Sequence, residues 1–150
     1  MRGDHSRLLE LIPAALPRLE EMSCLLGFDA TVDVICKPVR DRTGPGESYT
    51  PFPVIRDFGE HVVKAEGKSA IVEIVKEREK IGGNGPIMAA ALAASGLTVD
   101  YLGPLGVPDL HPAYLGFSSH VRTHPVANPA VTHALEFENG KIMLAAMSNY

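Results

Sequence analysis

Apolar positions follow a helical period at the start of the chain and then change to a continuous run. Leucines recur at helical spacing over residues 6–22, where two prolines interrupt the pattern and predict a short or kinked helix. Residues 24–35, CLLGFDATVDVI, are nearly all apolar or β-branched, which is typical of a strand buried on both faces. Asp29 and Asp33 are the only charged residues in that predicted strand.

Turn-forming residues separate this strand from the next regular element. Residues 37–56 contain four prolines and two glycines, which predict an excursion of turns that includes a short strand. Asp57 is a candidate cap for a short helix that ends near Ala65. Residues 69–81 alternate enough to predict a strand, with a helix as the alternative.

A glycine-rich loop follows and leads into a helix of small residues. The loop spans residues 82–85, Pro86 suits the first helical position, and Gly96 marks the end of the helix. A buried strand comes next. Residues 70–103 therefore predict a βαβ unit in a parallel or mixed sheet covered by helices.

The clearest pattern lies near the end of the sequence. In residues 132–147 apolar and acidic residues alternate, Asn139 and Gly140 supply a two-residue type I′ turn, and the alternation then resumes. This pattern predicts a β-hairpin. No capping helix or polar tail follows it, so we expect a truncated end that leaves an apolar sheet edge exposed.

Composition narrows the class of protein. The 150 residues suffice for one domain with a core, and 45% hydrophobic and 21% charged residues are ordinary for a globular protein. The net charge of 14 − 18 = −4, with scattered Lys and Arg, argues against nucleic acid or anionic membrane as a partner. Neither a signal peptide nor a membrane span is present, so we expect a cytoplasmic protein with Cys24 and Cys36 as buried or inert free thiols.

Two groups of residues could bind a polar ligand. Gly82 and Gly83 let the backbone approach a ligand closely, and Asn84 offers a donor and an acceptor at a helix N-terminus. A plain tight turn is the alternative. Asp29 and Asp33 could bind vicinal hydroxyls at the carboxyl end of a core strand; the alternative is that one of them caps a neighbouring element.

Other motifs do not support a site. Residues 67–69, Gly-Lys-Ser, resemble the end of a Walker A loop, but Val62 stands where that motif requires its first glycine. Four histidines lack metal-type spacing, so we expect them in loops or on the surface and expect no metal site: His111, His120, His124 and His133.

Three segments, in this order, resemble the ribokinase-like (PfkB-type) carbohydrate kinase family. Residues 27–33, GFDATVD, resemble the family's first strand with its sugar-binding Asp, which is Asp33 here. Residues 80–106 resemble the first signature, with a Gly-Gly turn, a small-residue helix and a strand that ends in Gly-x-x-Gly. Residues 133–146 resemble the hairpin that completes a lid over the sugar.

The resemblance implies a fold and a reaction. The fold is α/β, a ribokinase-like three-layer α/β/α sandwich present in part, with a small β lid formed by about residues 34–56 and 132–147. The reaction transfers the γ-phosphoryl group of ATP, with Mg²⁺, to a hydroxyl of a sugar, nucleoside or related alcohol. The exposed lid strands are compatible with a homodimer.

The resemblance also assigns substrate binding to particular residues. Asp33, Gly82, Gly83 and Asn84 match the family's sugar-binding positions, and Glu136 in the lid hairpin is a further candidate.

Two departures narrow these expectations. Ile87 replaces an Asn of the signature, so one sugar contact is missing or is supplied by Asn84, and the substrate is not the standard one. The family's Asp-Thr-x-Gly-Ala-Gly-Asp motif, which carries the catalytic base, has no match in residues 1–150. We therefore expect the substrate-binding part of a single kinase domain, inactive alone, whose missing C-terminal half binds most of the ATP and Mg²⁺.

Two alternatives remain. A non-catalytic sugar- or nucleoside-binding module would keep the pocket without turnover. A dinucleotide-binding oxidoreductase fragment ranks last, because it requires Gly-x-Gly-x-x-Gly followed by an acidic residue after the next strand.

Overall fold

The computed structural model describes residues 17–46 and 48–145. Most of the helix predicted over residues 6–22 lies outside the described residues, which are helical at 17–20. No helix in the described part of the chain is long and apolar enough to span a membrane. In chain order the elements are β1 (Ser23–Leu26), β2 (Thr31–Arg42), β3 (Tyr49–Pro51), α1 (Ile55–Val63), β4 (Ile74–Gly82), α2 (Asn84–Ala94), β5 (Thr98–Gly103), a 3-10 helix (Pro112–Tyr114), β6 (Val121–Pro125), β7 (Ala130–Phe137) and β8 (Gly140–Ala145).

The chain divides into two compact units. The first comprises Met1–Thr31 and Ile81–Pro129, and the second comprises Val32–Lys80 and Ala130–Tyr150. The chain therefore leaves the first unit after Thr31, returns to it at the glycine loop, and completes the second unit with the hairpin.

A three-stranded parallel sheet in the order β1-β5-β6 forms the base of the first unit. Helix α2 packs against β5 and β6 and buries Ala89 and Ala93. Tyr101 of β5 and Tyr114 of the 3-10 helix are fully buried, and the Tyr114 hydroxyl donates to the carbonyl of Thr31 at 2.8 Å. A parallel sheet with a helix packed on it confirms the predicted α/β class.

The two ends of helix α2 follow from its sequence. Gly96 has a φ of 96°, and the N–H groups of Gly96 and Leu97 donate to carbonyls of the last turn at 3.0 and 3.2 Å, which is a Schellman motif. The predicted stop at Gly96 is confirmed. The helix begins at Asn84, two residues before the predicted Pro86, because a proline is tolerated in the first turn, where the N–H has no helical acceptor.

A five-stranded sheet forms the second unit. Strands β3, β2, β7 and β8 are hydrogen-bonded in that order, and β4 pairs with β2. The segments predicted to form the lid, about 34–56 and 132–147, lie in this unit as far as they are described. Its core is apolar and consists of Val34, Cys36, Phe52, Leu135 and Phe137, with Ile55, Phe58, Val131 and Ile142 packed around them.

The single buried strand predicted over residues 24–35 is wrong, because the chain breaks into β1 and β2, which belong to different sheets. Gly27 lies so close to β5 that a Cβ atom there would be 2.5 Å from the carbonyl oxygen of Leu102. The next residues leave the sheet, and Asp29 contacts α2. A run of apolar residues does not show which sheet each residue joins.

Strand β2 also continues further than predicted, because residues 37–42 extend it instead of forming turns. Pro38 is accommodated within this strand, where its carbonyl accepts a hydrogen bond from the N–H of Phe52 at 3.0 Å. The short strand predicted in this region is β3. For residues 69–81 the strand is confirmed over the helix, although β4 begins only at Ile74.

The βαβ unit predicted over residues 70–103 is wrong in its pairing. Strand β4 belongs to the five-stranded sheet and β5 to the three-stranded one, where β1 is a parallel neighbour of β5. Consecutive strands usually lie side by side. Here the strand before the glycine loop pairs with β2 instead.

The hairpin predicted over residues 132–147 is confirmed as β7 and β8, with Phe137 opposite Gly140. Its two turn residues are Glu138 and Asn139, one position earlier than predicted. The turn is not type I′, which requires a positive φ at both central residues, because only glycines have positive φ in the described residues.

Asn139 explains why the predicted Asp57 cap is wrong. Helix α1 begins after Val54, whose side chain makes no capping hydrogen bond, and Asp57 lies within the first turn. The Oδ1 atom of Asn139 accepts a hydrogen bond from the N–H of Ile55 at 3.1 Å. A residue of the hairpin turn therefore caps this helix from a distant part of the sequence.

Candidate functional site

The glycine loop connects β4 to α2 through one unusual backbone conformation. Gly83 precedes the first helical residue and has φ 85° and ψ 146°, a conformation that residues with a Cβ atom rarely adopt. Gly82 is buried at the end of β4, and Asn84 is exposed at the start of α2. The loop thus presents the side chain of Asn84, which has no hydrogen-bond partner among the described residues.

Asp29 binds the N-terminus of α2 with both carboxylate oxygens. Oδ2 accepts a hydrogen bond from the N–H of Asn84 at 2.9 Å, and Oδ1 accepts one from the N–H of Gly85 at 2.8 Å. These N–H groups have no acceptor within the helix, and a negative charge is favourable at this end of the helix dipole. The sequence left open whether one of the two aspartates caps a neighbouring element, and Asp29 does so for helix α2.

Both glycines that flank Asn84 lie against this carboxylate. A Cβ atom at Gly83 would be 3.0 Å from Oδ2 of Asp29, and one at Gly85 would be 2.5 Å from Oδ1. The buried Tyr101 hydroxyl donates to the carbonyl of Asp29 from below the loop. Burial, together with the charge of Asp29, raises the pKa of Tyr101 to about 12. Sequence reasoning missed Tyr101, because a tyrosine in a strand carries no signal for such a contact.

A cavity of about 390 Å³ lies beside the loop within the first unit. Two of its lining side chains are large, apolar and exposed: Phe28 is 77% exposed and Met88 is 53% exposed. Asn84 contributes an uncharged polar side chain that has no hydrogen-bond partner in the part of the chain that the structure describes. Phe28 was not singled out from the sequence, because it stands inside an apolar run. The lining residues are Leu26, Gly27, Phe28, Asp29, Asn84, Gly85 and Met88.

The remaining predicted site residues lie in the second unit. Asp33 is on β2 and Glu136 is on β7, neighbouring strands of one sheet, and both are partly exposed. Glu136 stands opposite Lys141 in the hairpin. Neither carboxylate makes a hydrogen bond or ion pair with another described residue. Asp29, Gly83 and Asn84 thus come together in one unit, and Asp33 and Glu136 share the other sheet.

A second cavity, of about 470 Å³, lies within the second unit. Its charged side chains have mixed signs, because Lys37 and Lys76 line it together with Glu77, and Lys76 already pairs with Glu79 at 2.6 Å. No pattern in the sequence indicates this cavity. It contains none of the predicted site residues, since the rest of its lining is Tyr49, Pro51 and Val75.

One exposed ionic cluster lies on the parallel sheet. The Nε atom of Arg122 is 2.9 Å and Nε2 of His124 is 2.8 Å from Oδ1 of Asp100. The hydrogen bond from Arg122, and then that from His124, lowers the pKa of Asp100 to about 2. His124 and His133 lie on strands, and both are exposed, which confirms the expectation that they lie on the surface. In the described ranges no three His, Cys, Asp or Glu side chains could hold a metal ion together.

Comparisons with known proteins point to one family. The family model of prokaryotic ketohexokinase matches residues 5–150. Ketohexokinase from Haloferax volcanii is 30% identical over 130 residues, which are 85% of this chain and 34% of that protein. The structure of a carbohydrate kinase from Agrobacterium tumefaciens superposes with a TM-score of 0.50 at 19% identity, over 84% of this chain and 36% of that one. This likeness shows a shared fold, and the chain spans about a third of the length of both proteins.

Proposed function

The chain belongs to the prokaryotic ketohexokinase family, and we propose that it forms the sugar-binding part of an ATP-dependent kinase that acts on a ketohexose. The reaction transfers the γ-phosphoryl group of ATP to a hydroxyl of the sugar. The observation that carries this proposal is the cavity beside the glycine loop, which Asn84 lines together with apolar side chains, and the Asn84 amide has no partner among the described residues.

This cavity has the chemistry that a neutral sugar requires. The amide of Asn84 can donate to one hydroxyl and accept from another. Phe28 and Met88 offer apolar surface on which the C–H groups of a sugar ring can pack. A volume of about 390 Å³ lies within the range of small-molecule sites.

Asp33 and Glu136, both in the second unit, are two further proposed substrate-binding residues. Both carboxylates lack partners among the described residues, so they are available to accept hydrogen bonds from sugar hydroxyls. Gly82 and Gly83 contribute through the backbone, because they let the chain turn sharply into α2.

The described residues do not fit ATP or Mg²⁺. The N-terminus of α2 would be the natural place for a phosphate, but the carboxylate of Asp29 already accepts its N–H groups and would repel an anion. No cluster of three metal-binding side chains occurs in residues 17–46 or 48–145. We therefore propose that ATP and Mg²⁺ bind outside these residues.

The test is a kinase assay on the protein encoded by the open reading frame that contains these residues. We expect ATP-dependent phosphorylation of D-fructose, a ketohexose, in preference to D-glucose, an aldohexose. Asn84→Ala and Asp33→Ala should each raise KM for fructose about tenfold to a hundredfold, from the loss of hydrogen bonds that contribute about 1.5–3 kcal/mol. Glu138→Ala, in the exposed hairpin turn, is the control and should leave KM unchanged.

A second candidate function is a non-catalytic sugar-binding module. The cavity beside the glycine loop favours it, because this cavity could hold a sugar without any ATP site. Calorimetry with fructose, followed by an ATP turnover assay on the same sample, separates the two functions. Saturable binding without phosphoryl transfer would identify a module, and absence of both binding and transfer would refute both proposals.

A further inference from the structure

We propose that Asp29 is a positioning residue that holds Asn84 toward the sugar and does not itself bind the sugar. This inference deepens the proposed function and rests on it, because it concerns the same cavity. It reassigns one of the two aspartates that the sequence offers as sugar ligands.

Both oxygens of the Asp29 carboxylate already accept a backbone hydrogen bond. Asn84 N–H and Gly85 N–H donate to different oxygens of Asp29, at 2.9 and 2.8 Å. A sugar hydroxyl that donated to either oxygen would have to share it with a charge-assisted hydrogen bond already made to the backbone, which makes that oxygen a weaker acceptor. Asp33, in contrast, has no such partner among the described residues.

Neighbouring residues hold both the backbone and the carboxylate of Asp29 in place. Its backbone carbonyl accepts a hydrogen bond from the hydroxyl of Tyr101, which is fully buried and therefore has little freedom to move. Its carboxylate lies against the backbone of Gly83 and Gly85, where a Cβ atom at either position would crowd it. The glycines of the loop are therefore required by the carboxylate of Asp29 as well as by the turn.

These contacts of Asp29 determine the position of the Asn84 side chain. Asn84 is the first residue of α2, so fixing its N–H and that of Gly85 fixes the point from which its side chain enters the cavity. Without Asp29 the first turn would have two N–H groups bonded only to water, and such helix ends fray. Asp29 thus acts on the sugar through Asn84.

Amide hydrogen exchange on the sugar-free protein tests the contact itself. We expect Asn84 N–H and Gly85 N–H to be protected in the wild type and to exchange at least about tenfold faster in Asp29→Ala, because helix-end groups without an acceptor exchange rapidly. Leu97 N–H, bonded at the other end of the same helix, is the control and should not change. Asp29→Asn keeps one carbonyl oxygen and should retain protection of one of the two N–H groups. Rapid exchange of both groups in the wild type would overturn the proposal.

A double-mutant cycle on KM for fructose tests the functional part. We expect Asp29→Asn to raise KM about tenfold in the wild type and to have no further effect in Asn84→Ala, because the two residues act through one contact. Effects that multiply would show that Asp29 binds the sugar directly and would refute the positioning role. If no variant, nor the wild type, acts on fructose, the proposed function fails, while the exchange experiment still decides whether Asp29 holds the loop.

Discussion

Gly85→Ala is the sharpest test of how closely the glycine loop packs against Asp29. The new Cβ atom would lie 2.5 Å from Oδ1 of Asp29 and would also meet the hydroxyl of the buried Tyr101. Carbon and oxygen atoms that are not bonded do not approach so closely, so the carboxylate must move away from the helix. Alanine is otherwise the better helix former, and the helix position alone would predict stabilisation.

Two effects determine how much Gly85→Ala destabilises the protein. Displacing the carboxylate removes the N-terminal cap, which contributes about 1 kcal/mol. Forcing a methyl group into a filled space costs about a further 1–3 kcal/mol. We expect a net destabilisation of about 2–4 kcal/mol, which lowers the urea midpoint by about 1–2 M for a small domain.

The measurement is urea denaturation followed through the amide resonances of β5, which report on the first unit. Gly59→Ala is the matched control, because Gly59 lies inside helix α1 and a Cβ atom there would meet nothing within 4 Å. Followed through β7, this control should stabilise the second unit by about 0.5–1 kcal/mol. A Gly85→Ala protein within about 0.5 kcal/mol of the wild type would refute the packing described for the loop.

Three further predictions concern stability and reactivity. The pKa of Asp100 falls from 3.8 to about 2 on folding, so its ionised carboxylate stabilises the protein above pH 3.8, and this contribution should disappear as the pH falls toward 2. Asp100→Asn should remove this part of the acid-unfolding curve. An unchanged curve would contradict the ionic cluster. Asn139→Ala should destabilise the second unit by about 1 kcal/mol in thermal unfolding, because α1 loses its cap. Glu138→Ala, the control, should change the stability of this unit by less than about 0.5 kcal/mol, and equal effects of the two variants would count against the cap. Cys36 is 1% exposed and burial raises its pKa, so in the folded protein it should react with iodoacetamide far more slowly than the partly exposed Cys24. Mass spectrometry measures the two rates, and equal rates would contradict the burial of Cys36.

Local features of the fold could be predicted from the sequence. The stop of α2 depends on Gly96, which adopts the conformation that ends a helix, and the hairpin depends on alternation that both of its strands carry. Each feature is determined within a few residues. The turn, in contrast, was misplaced by one residue because strand register depends on the whole pair of strands.

Features that depend on distant contacts could not be predicted. Asp29 meets Asn84 across 55 positions, and Asn139 meets Ile55 across 84 positions, so neither cap follows a local motif. The sequence left Asp29 open between a ligand and a cap for this reason. Likewise, the break between β1 and β2 depends on how closely Gly27 approaches β5, which an apolar run does not reveal.

In the candidate site too, residues in one local segment could be predicted from the sequence and residues brought together by the fold could not. Asn84 and the glycines could be recognised because they form one segment that resembles a known family. Phe28 and Tyr101 could not, because their positions beside the loop depend on elements that the fold brings together.

The most direct test of the central claim is a titration of D-fructose into ¹⁵N-labelled protein, followed through the side-chain amide of Asn84. We expect this resonance and the backbone amide of Gly83 to shift saturably with fructose and much less with D-glucose, while the amide of Glu138 stays in place. Shifts that are absent at Asn84, or that saturate only at residues away from the cavity, would contradict the assignment of the glycine loop as a sugar site.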